Sequence, residues 1–402
     1  MAPAQPASAA APQQTYVVRR VTALPATTLL HADPATLVDG RRQEIAKTLA
    51  VYRQTLYLFW ALSQIVAFYY LWRSGAAAAV RDWLRRRLRK RFAVRIGYGF
   101  ALAATAGLAA FPASAAQYRV AVVFDQIAQG FWSWLGEAIL RVAIDGVVLG
   151  LIVAAVLALF ERTRAWWLYA IVGIFLVSAL NGLLAPFVLA PLFNHYAPIE
   201  GPAAARYAAF ERAAGVDVPI WHFDASRQTQ LPAAGVLGIG PQMRIVLGDT
   251  LFASLTAGEV EFAVARQIAH VARHDPLRTT IVWTVLFVLS VAAGVLVAER
   301  IGFRRDDDPL TRLALVGALA GLAGLLAFPA YNVYSRQIED KADAYALHLT
   351  HDPASLVRAL VRSADLRFVN LCGENWANFY FLTTPPLGTR IAEATGRPDP
   401  CR

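Results

Sequence analysis

Residues 142–189 read VAIDGVVLGLIVAAVLALFERTRAWWLYAIVGIFLVSALNGLLAPFVL, two apolar runs separated by the charged link Glu161–Arg164. Each run holds about the 20 residues that a helix needs to cross a bilayer. The link permits only an antiparallel return, so the pair is a hairpin of membrane helices. Working outward from 142–160 and 166–189, comparable segments occur at 55–72, 96–114, 279–298 and 312–332. The sequence therefore predicts six spans. The first carries Ser63 and Gln64 in its middle, which makes it the least suited of the six to face lipid. Asn181 and Pro186 in the fourth mark either a kink or a polar contact between helices.

The 402 residues are 57% hydrophobic and 16% charged, with a mean hydropathy of +0.43. A soluble domain carries about a quarter charged residues, so lipid is the solvent for much of this chain. Net charge is +10, and nine basic residues fall between Arg73 and Arg95, beside an apolar run. That placement follows the positive-inside rule rather than the pattern of a phosphate-tracking surface, so no nucleic-acid partner is expected. The rule puts 73–95 in the cytoplasm. Alternation then puts Arg162, Arg164, Arg300, Arg304 and Arg305 on the same side, and 190–278 with the C-terminal region outside. An Arg- and Ala-rich composition points to a bacterial chain, hence to a bacterial inner (plasma) membrane.

The first dozen residues, MAPAQPASAAAP, lack the basic and apolar regions of a cleavable signal and read as a Pro/Ala tail. Organisation follows: a partly disordered N-terminal tail over 1–50, spans with an Arg-rich loop over 51–189, and a mixed-polarity segment over 190–278. Two further spans cover 279–332, and a C-terminal part covers 333–402. Cys372 and Cys401 lack a C-x-x-C spacing, and the sequence alone leaves their pairing open.

Chemistry points to two amphipathic helices, each beside a span. Thr256-x-x-Glu259 is a capping box that opens a helix through EVEFAVARQIAHVARH, ending at Asp275-Pro276. The second follows the sixth span through SRQIEDKADAYALHL. A helical zinc protease places two His at i and i+4 on one face, a Glu base beside the first, and a third ligand on another helix. Here the corresponding stretch is Arg266-Gln267-Ile268-Ala269-His270, while the second helix offers Glu339 and, one turn on, Asp343. His195, His222, His348 and His351 read as loop or surface residues.

From about Gln117 to Ile391 the chain resembles the type I CaaX prenyl endopeptidase family of integral membrane zinc metallopeptidases. The resemblance runs through Tyr118-Arg119, Gly130-Phe131, Pro191-Leu192-Phe193-Asn194 before Pro198, and Ser226-Arg227. It continues through Arg244-Ile245-Val246-Leu247, Asp249-Thr250-Leu251, the S-R-x-x-E-x-x-A-D string from Ser335 to Asp343, and Pro385-Pro386-Leu387 before Arg390-Ile391. It implies a mainly α fold: a multi-pass transmembrane helical bundle carrying a small α+β gluzincin-like metallopeptidase domain. It also implies a catalytic zinc, and a peptide substrate added alongside a short strand.

The departures fall on the chemistry. By the resemblance, Arg266 stands at the first ligand His, Gln267 at the general base, Ala233 at an Asn that holds substrate backbone, and Thr384 at the His that stabilises the oxyanion. His270 and Glu339 remain as ligands, Asp343 as the residue behind them, and Arg390 in its substrate-side place. Arginine does not ligate metal, and a glutamine amide takes no proton from zinc-bound water. Zinc is therefore expected to be absent or weakly held, and hydrolysis lost or severely impaired. The expected partners are the lipid bilayer and hydrophobic peptides or membrane proteins. Arg266 facing Glu339 would replace the metal as the cation between the two helices, through a bidentate pair. His274, four residues after His270, is the one substitute ligand that would rebuild an active metalloendopeptidase site. A structural, scaffolding membrane protein is the third reading.

Overall fold

A computed structural model describes residues 15–163, 166–301 and 308–402. The expectations for the first dozen residues and for Arg164, Arg304 and Arg305 fall outside that range. The N-terminal half is helical: α1 (Tyr16–Ala23), α2 (Ala26–His31), α3 (Gly40–Arg73), α4 (Ala76–Arg87), α5 (Arg91–Val123), α6 (Phe131–Arg162) and α7 (Trp166–Leu184). A π-turn at Ala185–Leu189 extends α7, with Pro186 in its first turn. Next come β1 (Tyr196–Pro198), α8 (Pro202–Ala214), β2 (Ile220–Phe223), β3 (Ala234–Leu237) and β4 (Arg244–Gly248). The rest comprises α9 (Asp249–Ser254), α10 (Ala257–Ala272), α11 (Asp275–Arg300), α12 (Pro309–Thr350), α13 (Pro353–Arg367), α14 (Asn375–Phe381) and α15 (Leu387–Thr395).

Six helices among the described residues are long and apolar enough to cross a membrane: α3, α5, α6, Ile171–Leu192, α11 and α12. They are the six read from the sequence. Each touches the next, and α12 packs back on α3, so the spans form a closed ring. Small residues set the closest approach. A Cβ on Gly99 of α5 would lie 2.5 Å from the Gly150 Cα of α6, so only glycine lets these backbones meet.

The two ends of the ring differ in charge. At one end the Arg-rich α4 meets the start of α12 through Arg85–Asp308 at 2.6 Å, and Arg95 pairs with Glu161 at the end of α6. The segment read as an Arg-rich loop is thus itself helical. At the other end lie the sheet, α8–α10 and α13–α15. The sheet has the order β1-β2-β4-β3. Only the β2–β4 pair is parallel, and β3 is an edge strand, antiparallel to β4 with Ala234 opposite Leu247.

Two expectations need correction. The stretch 16–50 is not a tail: Val18, Val21, Leu29 and Leu37 are buried against Val357, Leu360 and Ile391 of α13 and α15. Each such aliphatic side chain contributes about 1.5–3 kcal/mol on burial, enough to hold α1 and α2 in place. Arg358 adds a bond to the Leu24 carbonyl and Arg362 one to the Thr22 hydroxyl. The second motif helix is not separate from the sixth span either. The two are one 42-residue helix, because Pro329 lies inside it without ending it.

Cys372 and Cys401 are joined by a disulfide, which the sequence left open. It closes a 29-residue separation, for which loop-closure entropy corresponds to roughly 3–4 kcal/mol. Thermal melts of a Cys372→Ser/Cys401→Ser variant should show that loss, and wild type should lose the same amount on adding reductant. An unchanged midpoint in both would mean the bond does not support the fold.

Candidate metal-site remnant and substrate cleft

The capping box forms: the Thr256 N–H donates to the Glu259 carboxylate at 2.9 Å. It starts α10, whose apolar faces are buried on the sheet and on α13 through Val260, Phe262, Val264, Ala265 and Ile268. One stripe is left for α12, and Arg266 and His270, one turn apart, occupy it. α10 ends at Ala272 rather than at Asp275. His274 takes a left-handed conformation with φ 54°, and Asp275-Pro276 opens α11, where proline at the first turn costs no hydrogen bond.

Across from that stripe stand Glu339 and Asp343. Arg266 spans both: its Nη2 pairs with Glu339 Oε2, and its Nε donates to Asp343 Oδ1 at 2.8 Å. The expected bidentate grip on Glu339 is therefore a bridge between two carboxylates instead, because Asp343 comes within reach of the same fork. Arg390 reaches Asp343 from α15, with Nε at 2.6 Å and Nη2 at 3.0 Å. His270 Nε2 faces Glu339 Oε1 across 4.0 Å, and its Nδ1 lies 3.1 Å from Asp275. The result is a chain of alternating charge from Asp275 through His270, Glu339, Arg266 and Asp343 to Arg390. Burial lowers the Arg266 pKa, with Asp343 opposing, but a guanidinium stays charged at any pH the protein meets.

This donor set does not fit a zinc ion. Among the described residues no three His, Cys, Asp or Glu side chains come together as metal ligands, so His270, His274 and Glu339 do not assemble into a substitute site. A cation already covers the Glu339 carboxylate.

Beside this chain opens a cleft of about 380 Å³ lined by Arg266, Gln267, Ala234, Thr384 and Arg390. Gln267 is 6% exposed, and Ala233 adjoins the cleft just ahead of β3, its carbonyl accepting from the Gly248 N–H at 2.8 Å. The fold thus gathers Arg266, Gln267, Thr384 and Arg390 at one place, with His270, Glu339 and Asp343 behind them, while Ala233 sits between the lining residues Pro232 and Ala234 with its own Cβ toward Gly248. His274 alone of the sequence candidates stands apart.

Three contributors escaped the sequence reading. Asp275, 3% exposed, orients His270, as a carboxylate behind a ligand imidazole does. In the sequence it registered only as a helix stop. Arg367 lines the cleft and donates to the Pro232 carbonyl at 2.6 Å, for which the sequence carried no signal. Glu393, on α15, sits near Asp340, whose Oδ1 is buried without a hydrogen-bond partner. Burial first, and then Asp340, push the Glu393 carboxyl up from 4.5 to about 7. A raised carboxyl means that the folded state binds the extra proton, so stability falls as pH rises from about 4.5 to 7. Glu393→Gln should flatten that slope in melts between pH 5 and 8, by less than about 1 kcal/mol given its solvent exposure. An unaltered pH profile would refute the raised Glu393 carboxyl.

Fold and site together define a multi-pass membrane protein with the two-helix architecture of a metallopeptidase. Residues 14–195 match the model of the CAAX prenyl protease N-terminal region, described as five membrane helices, and residues 203–398 match peptidase family M48. The chain belongs to the M48 CaaX prenyl endopeptidase family. It is 25% identical to the uncharacterized metalloprotease YhfN of Bacillus subtilis, over 81% of this chain and 79% of that one. It is also 25% identical to a CAAX prenyl protease 1 homolog of Oryza sativa, over 66% of this chain and 64% of that protein. The crystal structure of S. mikatae Ste24p superposes with a TM-score of 0.76, covering 94% of both chains at 19% identity, which establishes a shared fold.

Proposed function

We propose that this protein binds hydrophobic peptides at the membrane surface without hydrolysing them, as a catalytically inactive or severely impaired member of its family. The observation that carries this reading is Arg266, whose guanidinium bridges Glu339 and Asp343 where the family holds its metal. Gln267 at the base position supports it, since an amide cannot accept the proton of an attacking water. Peptide binding survives these losses because it needs only an edge strand and a cleft. β3 offers unpaired backbone groups beside the cleft, the arrangement used for strand addition.

The cleft end of the ring faces the exocytoplasmic side of a bacterial inner membrane. Support comes from the Arg-rich end lying opposite, as the positive-inside rule requires, and from the Cys372–Cys401 disulfide, which persists only in an oxidising compartment.

The test is a quenched fluorogenic hydrophobic peptide added to purified protein in nanodiscs. Saturable binding is expected, with cleavage no faster than buffer and unaffected by a zinc chelator. Chelator-sensitive cleavage with about one zinc per chain would replace this reading with an active metalloendopeptidase. No binding at all would leave a scaffolding role.

A further inference from the structure

A second cavity, of about 970 Å³, lies within the membrane ring between α3, α5 and α6. Trp60, Gln64, Phe68 and Trp134 are among its walls, which are overwhelmingly apolar. Asp145 projects into it. This residue is near the start of the apolar run 142–160, but the close approaches of Gly107 to Val142 and of Gly99 to Gly150 set it level with the centre of the neighbouring 96–114 span. Among the described residues no hydrogen bond or ion pair reaches its carboxylate. A charge at that depth costs about 2.5–3.5 kcal/mol and normally marks a function.

Arg141, one turn away in the same wall, makes no ion pair with it. Its guanidinium lies over the Phe193 ring at 4.7 Å and 4.0 Å from Glu137. Glu137 is in turn held by Gln228 at 2.9 and 3.0 Å. Arg141 is thus held toward the sheet end of the ring, and Asp145 is left without an ion pair of its own in an apolar chamber, although the charge of Arg141 still reaches it.

We propose that this cavity selects hydrophobic peptides that carry a basic residue, with Asp145 as the counter-ion for their lysine or arginine. The inference rests on the peptide-binding reading above and names its substrate class. Charge complementarity calls for a cation, and depth decides its source. The ammonium of an aminophospholipid stays at headgroup level, ~15 Å from the bilayer centre, because the hydrocarbon core is ~30 Å thick. A lysine in the middle of a hydrophobic segment reaches the Asp145 level directly. Gln64, on the opposite wall, supplies a further polar group at the first span's otherwise apolar centre, where the sequence alone offered no use for it.

The probe is a labelled 20-residue Leu/Ala peptide with one central lysine, compared with the same peptide bearing norleucine, in phosphatidylcholine nanodiscs. Wild type should bind the lysine peptide at least tenfold more tightly, and Asp145→Asn should erase the difference while still binding both. Equal binding of the two peptides by wild type would overturn the selectivity and leave peptide binding intact. Binding of neither would overturn both readings. Loss of the lysine preference when phosphatidylethanolamine replaces phosphatidylcholine would also overturn it, since the cation would then be a lipid ammonium.

Discussion

Replacing Arg266 with alanine is expected to destabilise the protein by roughly 3 kcal/mol, the lower end of the range for removing one partner of a buried ion pair. The lower end applies because 21% of the Arg266 side chain and 20% of the Glu339 side chain still reach solvent. The loss is unequal across the network. Asp343 keeps two bonds from Arg390, whereas Glu339 is left with only His270, at 4.0 Å. The damage therefore falls on the contact between α10 and α12, which joins the sheet region to the sixth span. Arg266→Lys should recover part of the stability, since an ammonium restores the charge but cannot reach two carboxylates as a planar fork does. Denaturation monitored in detergent would decide it. A change below about 0.5 kcal/mol, the size of an ordinary surface substitution, would mean that Arg266 is not what holds the two helices together.

The largest gain is expected from the reverse manoeuvre. An Arg266→His/Gln267→Glu variant should bind about one zinc per chain, while wild type carries none above buffer background. The new imidazole would share one face of α10 with His270, at the i and i+4 spacing that suits a metal. Glu339, freed from the guanidinium, would complete three protein ligands. One support is already present, because Asp275 lies 3.1 Å from His270 Nδ1 and fixes which ring nitrogen points inward. Gln267→Glu alone should not bind zinc, because Arg266 would still cover Glu339. The double variant should nonetheless cleave poorly. Ala233 offers no side-chain contact to substrate, and Thr384 no imidazole. A missing oxyanion donor typically costs 10²–10³ in rate. Elemental analysis after gel filtration reads the metal directly. A metal-free double variant would show that the site has collapsed beyond two substitutions.

These expectations draw on two levels of information. The apolar runs, their charged flanks and the capping box at Thr256 lie in consecutive residues, and local physics acts on consecutive residues. Six spans, the charge asymmetry of the bundle and the helical placement of Arg266 and His270 were therefore legible in order along the chain. The suspicion that Arg266 had replaced a metal came from pairing two helices that the sequence separates by 73 positions.

What the sequence left undetermined depends on approach between distant segments. Only packing shows that Arg266 divides its fork between Glu339 and Asp343, that Asp275 is an orienting group, and that Cys372 meets Cys401. The burial of α1 and α2 was missed for the same reason. Val18, Val21, Leu29 and Leu37 look like an unremarkable sprinkling of aliphatics until α13 and α15 provide the surface that takes them. Asp145 is the clearest case. In the sequence it is one carboxylate in a long apolar run, readable as a charge that finds a partner. The tertiary structure places the nearest arginine of its own helix against Phe193 and Glu137 and leaves Asp145 facing a cavity. Whether a buried charge is neutralised depends on distances of a few ångströms between helices, because its energy falls steeply with separation and solvent access, and residue order alone does not encode those distances.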